Sequence, residues 1–214
     1  FGSILGPDGK PFKTRSGDTV KLNDLLDEAE ERALKAVRAK SPDLAEDSAR
    51  EIARIIGIGA VKYADLLPNR QTDYVFNWDK MLSLSGNTAP YLQYASTRIR
   101  SIFKKAALDE DAFLTQWSQG ALQLVMEEEQ EGILARKLIH FGLILESVLE
   151  DHRPNFLCNY LYELAGCYTA FYEHCPVLKS EGHLRSSRLL LCLLTRSVLN
   201  KGLELLGIET PDSM

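Results

Sequence analysis

The stretch LNDLLDEAEERALKAVRAK, residues 22–40, decides the fold class of this chain. Apolar side chains recur in it every three or four residues, which is the period of an α-helix. They are Leu22, Leu25, Leu26, Ala29, Ala33, Ala36 and Val37. Most of the 214-residue chain shows the same period, and the strict alternation of half-buried strands is nearly absent. We therefore predict an all-α fold, a helical bundle preceded by a short loop and connecting helices.

Signals for helix starts and ends divide the rest of the chain. Asn87 or Thr88 is predicted to cap a helix that has Pro90 in its first turn, and Gly207 is predicted to end the last helix. Residues 57–59, Gly-Ile-Gly, are interpreted as a helix break. The predicted segments are helices over about 43–66, 89–105, 111–125, 128–149, 154–176 and 183–206, with a short extended piece at 74–78.

Composition excludes several classes of protein. The formal net charge of −5 argues against a polycation that coats nucleic acid indiscriminately, but it is compatible with a local basic patch. No apolar run approaches the roughly 20 residues that cross a bilayer, so no membrane partner is expected. The four cysteines form no C-x-x-C pair and have no histidine at ligand spacing, which predicts buried reduced thiols, no metal and a cytoplasmic location. The acidic run at 127–131 is interpreted as a solvated helix start.

The loop KPFKTRSG, residues 10–17, is the first candidate for chemistry. It holds three cations and two hydroxyl groups, and cationic groups of this kind can close over a polyphosphate. A plain basic surface loop is the alternative that the pattern leaves open.

Two predicted helices with several cations are the second candidate. Residues 89–105 include Arg98 and Arg100, and residues 183–206 include Arg188 and Lys201, while residues 154–176 are rich in tyrosine and phenylalanine. Cations that follow phosphates, beside rings that stack on unpaired bases, are what the recognition of single-stranded RNA requires. Ordinary core packing of these aromatic side chains is the alternative.

Several blocks, in order along the whole chain, resemble arginyl-tRNA synthetases. They are DGKPFKTRSGDTV (8–20), IGAVKYADL (58–66), GNTAPYLQYA (86–95), YLYELA (160–165), FYEHCP (171–176) and LLGIETP (205–211). The first block stands where other class I synthetases have the KMSKS loop, and Phe12 replaces the first lysine of that motif. The run LRSSRL at 184–189 stands where other members of the family have the motif that gives the DALR anticodon-binding domain its name.

The resemblance implies roles for particular residues. Arg15 and Ser16 are expected to be catalytic, and Lys13 and Thr14 are expected to belong to the ATP loop. Tyr172 and Met214 stand at positions where members of the family touch the anticodon loop. We add three candidate tRNA-binding residues from the placement of charge alone, namely Arg98, Arg188 and Lys201.

The resemblance also implies an organisation and a set of partners. Residues 1–85 would be the end of the catalytic core, and residues 86–214 the DALR-type anticodon-binding domain. The partners would be tRNA for arginine and, through a catalytic domain with a HIGH motif that these residues lack, arginine and ATP with magnesium. The chain begins at Phe1, so we expect a processed or cut-out piece, monomeric, with no cofactor of its own and inactive alone. The alternative is a free-standing helical adaptor that binds RNA or protein without catalysis.

Overall fold

Helices make up most of the chain in a computed structural model that describes residues 2–6, 8–10 and 21–214. The predicted all-α fold is therefore confirmed. The loop residues Lys13, Thr14, Arg15 and Ser16 lie outside the described residues. The elements are β1 (Ile4–Leu5), α1 (Leu22–Lys40), α2 (Glu46–Leu66), β2 (Tyr74–Val75), α3 (Trp78–Met81), α4 (Ala89–Ala106), α5 (Glu110–Ser118), α6 (Glu129–Ile139), α7 (Phe141–Asp151), α8 (Pro154–His174) and α9 (Gly182–Leu205).

The pair of helices α1 and α2 crosses unusually closely. A Cβ atom built on Gly57 would lie 2.7 Å from the backbone carbonyl carbon and oxygen of Ala29, so only glycine fits at this crossing. The helix α2 runs through Gly57 and Gly59 without interruption, and the predicted helix break is wrong. Gly57 serves packing because its absent side chain lets the two helix backbones approach each other. Beside this pair, β1 and β2 form a two-residue parallel ladder in which Ile4 is paired with Tyr74.

The main core lies among α4, α6, α8 and α9. It is filled by fully buried side chains such as Leu92, Ile99, Leu164 and Leu199. The helix α4 begins where the sequence predicted, because the Thr88 hydroxyl accepts a hydrogen bond from the N–H of Tyr91 at 3.2 Å. The cations of α4 and the aromatic rings of α8 therefore lie on helices that pack around one core.

Two predicted helices are shorter than their sequences indicated. The helix predicted over 128–149 is divided at His140, whose ψ of −6° leaves the helical path, and α7 then packs on α8 with Phe141 stacked on Tyr160 at 5.8 Å. The helix predicted over 111–125 ends at Ser118, and Gly120 adopts a φ of +72°. Val125 then donates its N–H to the Ser187 hydroxyl at 2.8 Å, so a side chain of α9 satisfies the backbone there in place of a helix.

Candidate nucleic-acid interface

Arg98 and Tyr172 meet across the α4/α8 boundary. The guanidinium carbon of the exposed Arg98 lies 4.8 Å from the centroid of the half-buried Tyr172 ring, which is cation–π geometry. Tyr172 also packs against the buried Tyr168 ring at 6.0 Å, which holds its inner edge in place. The structure thus brings together one residue taken from the family resemblance and one taken from charge placement.

The same boundary carries further aromatic side chains toward the start of α4. Tyr91 of α4 contacts Tyr162 of α8 at 5.9 Å between ring centroids, in an edge-on arrangement, and the Tyr162 side chain is exposed. The Tyr91 hydroxyl lies 3.5 Å from the hydroxyl of Thr169. We call Tyr91, Tyr162 and Tyr172 the aromatic stripe. It presents ring surface at the junction of two helices that the main core fixes.

A pocket of about 200 Å³ lies between α4 and the end of the chain. We call it the tail pocket. Its lining consists of Tyr94, Thr97, Arg98, Arg100, Ser101, Lys104, Asp212, Ser213 and Met214. Lys40, at the end of α1, places its ammonium nitrogen 4.7 Å from the centroid of the Tyr94 ring. The pocket therefore combines an aromatic ring, several cations and a thioether, groups that can hold an unpaired base and its phosphate.

Met214 closes one side of the tail pocket and also packs against the apolar cluster of Ala33, Ala53 and Ile56 between α1 and α2. The family resemblance assigns both Met214 and Tyr172 to contact with the anticodon loop. Arg98 separates the two, because it lines the tail pocket with Met214 and lies over the Tyr172 ring. The two residues thus belong to one continuous surface with Arg98 at its centre.

Arg188 is not part of this surface. Its side chain is 5% exposed, and its Nε donates to Oε1 of Glu131 at 2.5 Å, while Nη1 donates to the Pro176 carbonyl and to the Ser180 hydroxyl at 2.7 Å. The prediction that Arg188 contacts phosphate is corrected accordingly, because its charge is already neutralised inside the protein. The acidic run at 127–131 does begin a helix, and Glu127, Glu128 and Glu129 are exposed as predicted, but the Glu131 carboxylate is buried.

The carboxylate of Glu131 has an unusually rich set of partners. Its Oε2 accepts the N–H groups of Glu127 at 2.6 Å and Glu128 at 2.9 Å, which caps α6. Burial alone raises the pKa of this carboxyl. The Glu128 N–H, the Arg188 guanidinium and the Glu127 N–H together outweigh burial, and the net pKa is lowered.

Lys201, the remaining candidate, lies on the exposed end of α9 and forms a surface ion pair with Glu204 at 3.0 Å. Four residues of this surface were given no individual RNA-binding role from the sequence, namely Tyr94, Arg100, Lys104 and Lys40. Tyr94 and Arg98 are four residues apart on α4, so helical spacing could have indicated their common face. No sequence signal connects Lys40 to them, since it reaches Tyr94 only through the packing of α1.

The buried thiols offer no reactive nucleophile. Burial raises the pKa of Cys158 and of Cys192 to about 12, so both are protonated at neutral pH. Within residues 2–6, 8–10 and 21–214, no three metal-ligating side chains come together. Over the same ranges, no helix has the length and hydropathy to span a membrane.

Family models match nearly the whole chain. Residues 92–214 match the DALR anticodon binding domain, and residues 1–78 match the catalytic domain of class I tRNA synthetases (R). The fold and these two matches define the chain as part of a class I aminoacyl-tRNA synthetase, with an anticodon-binding helical domain. The predicted boundary between residues 85 and 86 falls in the interval between the matches and stays a prediction.

Comparison with similar proteins indicates which family within this class the chain resembles. The chain is 53% identical to an arginine–tRNA ligase of Klebsiella pneumoniae and 51% identical to one of Yersinia pseudotuberculosis, over all of this chain and 36% of each relative. Two solved structures have the same fold. The arginyl-tRNA synthetase of Thermus thermophilus has a TM-score of 0.85 at 30% identity, over 99% of this chain and 34% of that one. The arginyl-tRNA synthetase of Plasmodium falciparum has a TM-score of 0.82 at 31% identity, over 100% of this chain and 34% of that one.

The chain belongs to the arginyl-tRNA synthetase family, of which it is the C-terminal, anticodon-binding part, as its sequence blocks indicated. It spans about a third of the length of the relatives that it matches.

Proposed function

We propose that the tail pocket and the aromatic stripe bind the anticodon loop of tRNA for arginine. In this proposal the chain serves a longer, ATP- and magnesium-dependent enzyme that attaches arginine to that tRNA. The observation that carries it is the exposed Arg98 lying over Tyr172 at the edge of a pocket closed by Met214. The names of the relatives, arginine–tRNA ligases, support the choice of tRNA and amino acid.

The chemistry of the surface supports an unpaired RNA loop over a duplex. Aromatic rings stack on any base whose face is free, and bases in a duplex have no free face. The Arg98 guanidinium covers Tyr172 in the unbound chain. A base that stacks on the ring therefore displaces Arg98, which then lies within reach of the phosphates of the same loop.

Other predicted roles remain proposals of the same kind. Lys201 is proposed as a phosphate contact outside the pocket, at the cost of its surface pair with Glu204. Arg15 and Ser16, with Lys13 and Thr14, are proposed to face ATP in the longer enzyme. A monomeric state and a cytoplasmic location are proposed as well, and the four free thiols support the location. The match of residues 1–78 to a catalytic domain disfavours the free-standing adaptor.

The test compares Tyr172→Ala with Tyr172→Phe, which keeps the ring. Affinity for a fluorescent arginine anticodon stem-loop is measured by anisotropy at fixed salt. Loss of one stacked base is worth about 1–3 kcal/mol, so Tyr172→Ala should bind roughly 5- to 100-fold more weakly. Tyr172→Phe should bind like the unmodified chain because the hydroxyl is not needed for stacking.

A melting curve of each variant separates binding from folding. RNA affinity is measured well below the melting transition. If Tyr172→Ala melts several degrees lower but its RNA affinity is unchanged, the ring serves packing alone. If the chain binds an unrelated stem-loop as tightly as the arginine anticodon stem-loop, the proposed recognition of the anticodon is contradicted.

A further inference from the structure

The C-terminal tail, residues 207–214, reverses direction as it leaves α9. Gly207 has a φ of +70°, and its carbonyl accepts a hydrogen bond from the Lys62 ammonium of α2 at 2.6 Å. Ile208 then enters the main core, where it is 3% exposed. The turn directs the tail across α2 and α4, away from the axis of the helix that it follows.

An ion pair attaches the tail to α2. The two terminal nitrogens of Arg54 donate to the two carboxylate oxygens of Glu209, at 3.1 and 2.8 Å, and the same guanidinium contacts Glu51. The fork of an arginine matches a carboxylate in this two-point geometry, so the contact fixes direction as well as distance. The Arg54 hydrogen bonds lower the pKa of Glu209, because they stabilise the ionised carboxylate.

A buried amide holds the backbone of the tail at the same point. Gln93 of α4 is 0% exposed, and its Nε2 donates to the carbonyl of Glu209 at 2.8 Å and to the carbonyl of Ile55 at 3.3 Å. Gly59 leaves the room for this arrangement. A Cβ there would lie 2.9 Å from Gln93 Nε2 and 3.1 Å from Cγ2 of Ile208. The main chains of α2 and the tail are thus joined by one side chain of α4.

A third contact lies next to the tail pocket. Arg100 of α4 forms an ion pair with the Asp212 carboxylate, two residues before Met214. Arg100, Asp212 and Met214 all line the tail pocket. The three contacts therefore follow one another along the tail, from its turn to the residue that closes the pocket.

We infer that Arg54, Gln93 and Arg100 are positioning residues that hold the tail so that Met214 closes the RNA-binding pocket before RNA arrives. We call these contacts the tail latch. The inference rests on the proposed function, since it concerns the same pocket. Its physical basis is preorganisation, because a tail that is already ordered loses little conformational entropy when a base enters. The carboxylates of the two ion pairs, Glu209 and Asp212, are exposed, and such pairs add little to global stability, so Arg54 and Arg100 act on the tail without supporting the whole bundle.

The central variant is Arg54→Met, which keeps the aliphatic part of the side chain and removes the fork. The matched control is Arg50→Met, one turn earlier on α2, since Arg50 pairs with Glu46 and not with the tail. Tail order is measured without RNA, as the rate at which carboxypeptidase releases Met214. An exposed ion pair is worth up to about 1 kcal/mol, so release should be up to about fivefold faster in Arg54→Met, with a similar loss of stem-loop affinity. Arg50→Met should change neither quantity.

The exchange variant Arg54→Glu with Glu209→Arg should restore both the release rate and the RNA affinity. It keeps opposite charges at the two positions, and Glu51 supplies a second carboxylate beside the arginine at position 209. Unchanged release of Met214 in Arg54→Met would overturn the inference, and so would faster release with unaltered RNA affinity. A melting temperature lowered by several degrees in Arg54→Met would assign the contact to global stability and overturn it too. If the unmodified chain fails to bind the stem-loop, the proposed function fails, while the release rates still test whether the latch orders the tail.

Discussion

Replacing Arg188 with methionine tests whether this cation belongs to the interior or to an RNA surface. The substitution keeps an apolar side chain of similar length and leaves the Glu131 carboxylate buried, at 1% side-chain exposure, without its cation. It also removes the donor to the Pro176 carbonyl and the Ser180 hydroxyl, which tie the segment before α9 to the helix. Removing one partner of a buried ion pair costs about 3–5 kcal/mol. In a chain of this size that corresponds to a melting temperature lowered by roughly 6–20 °C.

The assay is thermal unfolding followed by circular dichroism, with urea unfolding to give the free energy. Lys201→Met is the matched control, because it removes a cation from the same helix where the side chain is 54% exposed. Its effect should stay within about 0.5 kcal/mol. The double variant Arg188→Met with Glu131→Gln should regain part of the lost stability, since no buried charge is left unpaired and the amide oxygen can still accept the N–H groups of Glu127 and Glu128.

One result would refute this reasoning. If Arg188→Met melts within about 2 °C of the unmodified chain, yet weakens binding to all RNAs and flattens the salt dependence, the guanidinium contacts phosphate and the buried pair is not the native arrangement.

Two further predictions concern the helix crossing and the buried acid. Gly57→Ala should lower the free energy of unfolding in urea by about 1–3 kcal/mol, because the added methyl group meets the Ala29 backbone. The control is Gly142→Ala, which should be neutral or stabilising because there is open space at its Cβ. Stability should also fall in acid, because the pKa of Glu131 is lower in the folded chain than in the unfolded chain. The contribution of Glu131 to stability is complete above its unfolded pKa of about 4.5 and is lost as the pH falls through its folded pKa. A pH titration of the free energy of unfolding should therefore be less steep in this range for Glu131→Gln, and an equal slope would contradict the assignment.

The sequence was sufficient to predict the helices that have strong local end signals. Thr88 with Pro90 marks the start of α4, Pro154 the start of α8, and Gly207 the end of α9. It was insufficient where tertiary contacts decide the backbone. Gly57 weakens a helix by its intrinsic propensity, yet the close approach of α1 requires it inside α2. The division at His140 likewise follows from the packing of α7 on α8, which no local signal contains.

The candidate site was likewise predictable in its single residues but not in the contacts between them. Arg98 and Tyr172 could be selected one at a time, but their contact depends on how α4 packs against α8. Arg188 shows why the placement of charge in the sequence is insufficient. The sequence of a basic helix does not indicate whether an arginine on it pairs with phosphate or with a glutamate 57 residues away. The tail latch escaped prediction because its partners lie on three separate parts of the chain.

The distribution of charge shows how the proposed RNA surface is compatible with a net charge of −5. Arg100 is neutralised by Asp212, and Arg188 by Glu131. Among the described residues no ion pair engages Arg98, Lys104 or Lys40, so these cations leave a small positive region on an acidic protein. Each phosphate contact to a single strand contributes a slope of only about 0.7 in the logarithm of affinity against the logarithm of salt. So few cations would give weak binding to arbitrary RNA, and we therefore expect stacking in the proposed pocket to supply most of the affinity that distinguishes one loop from another.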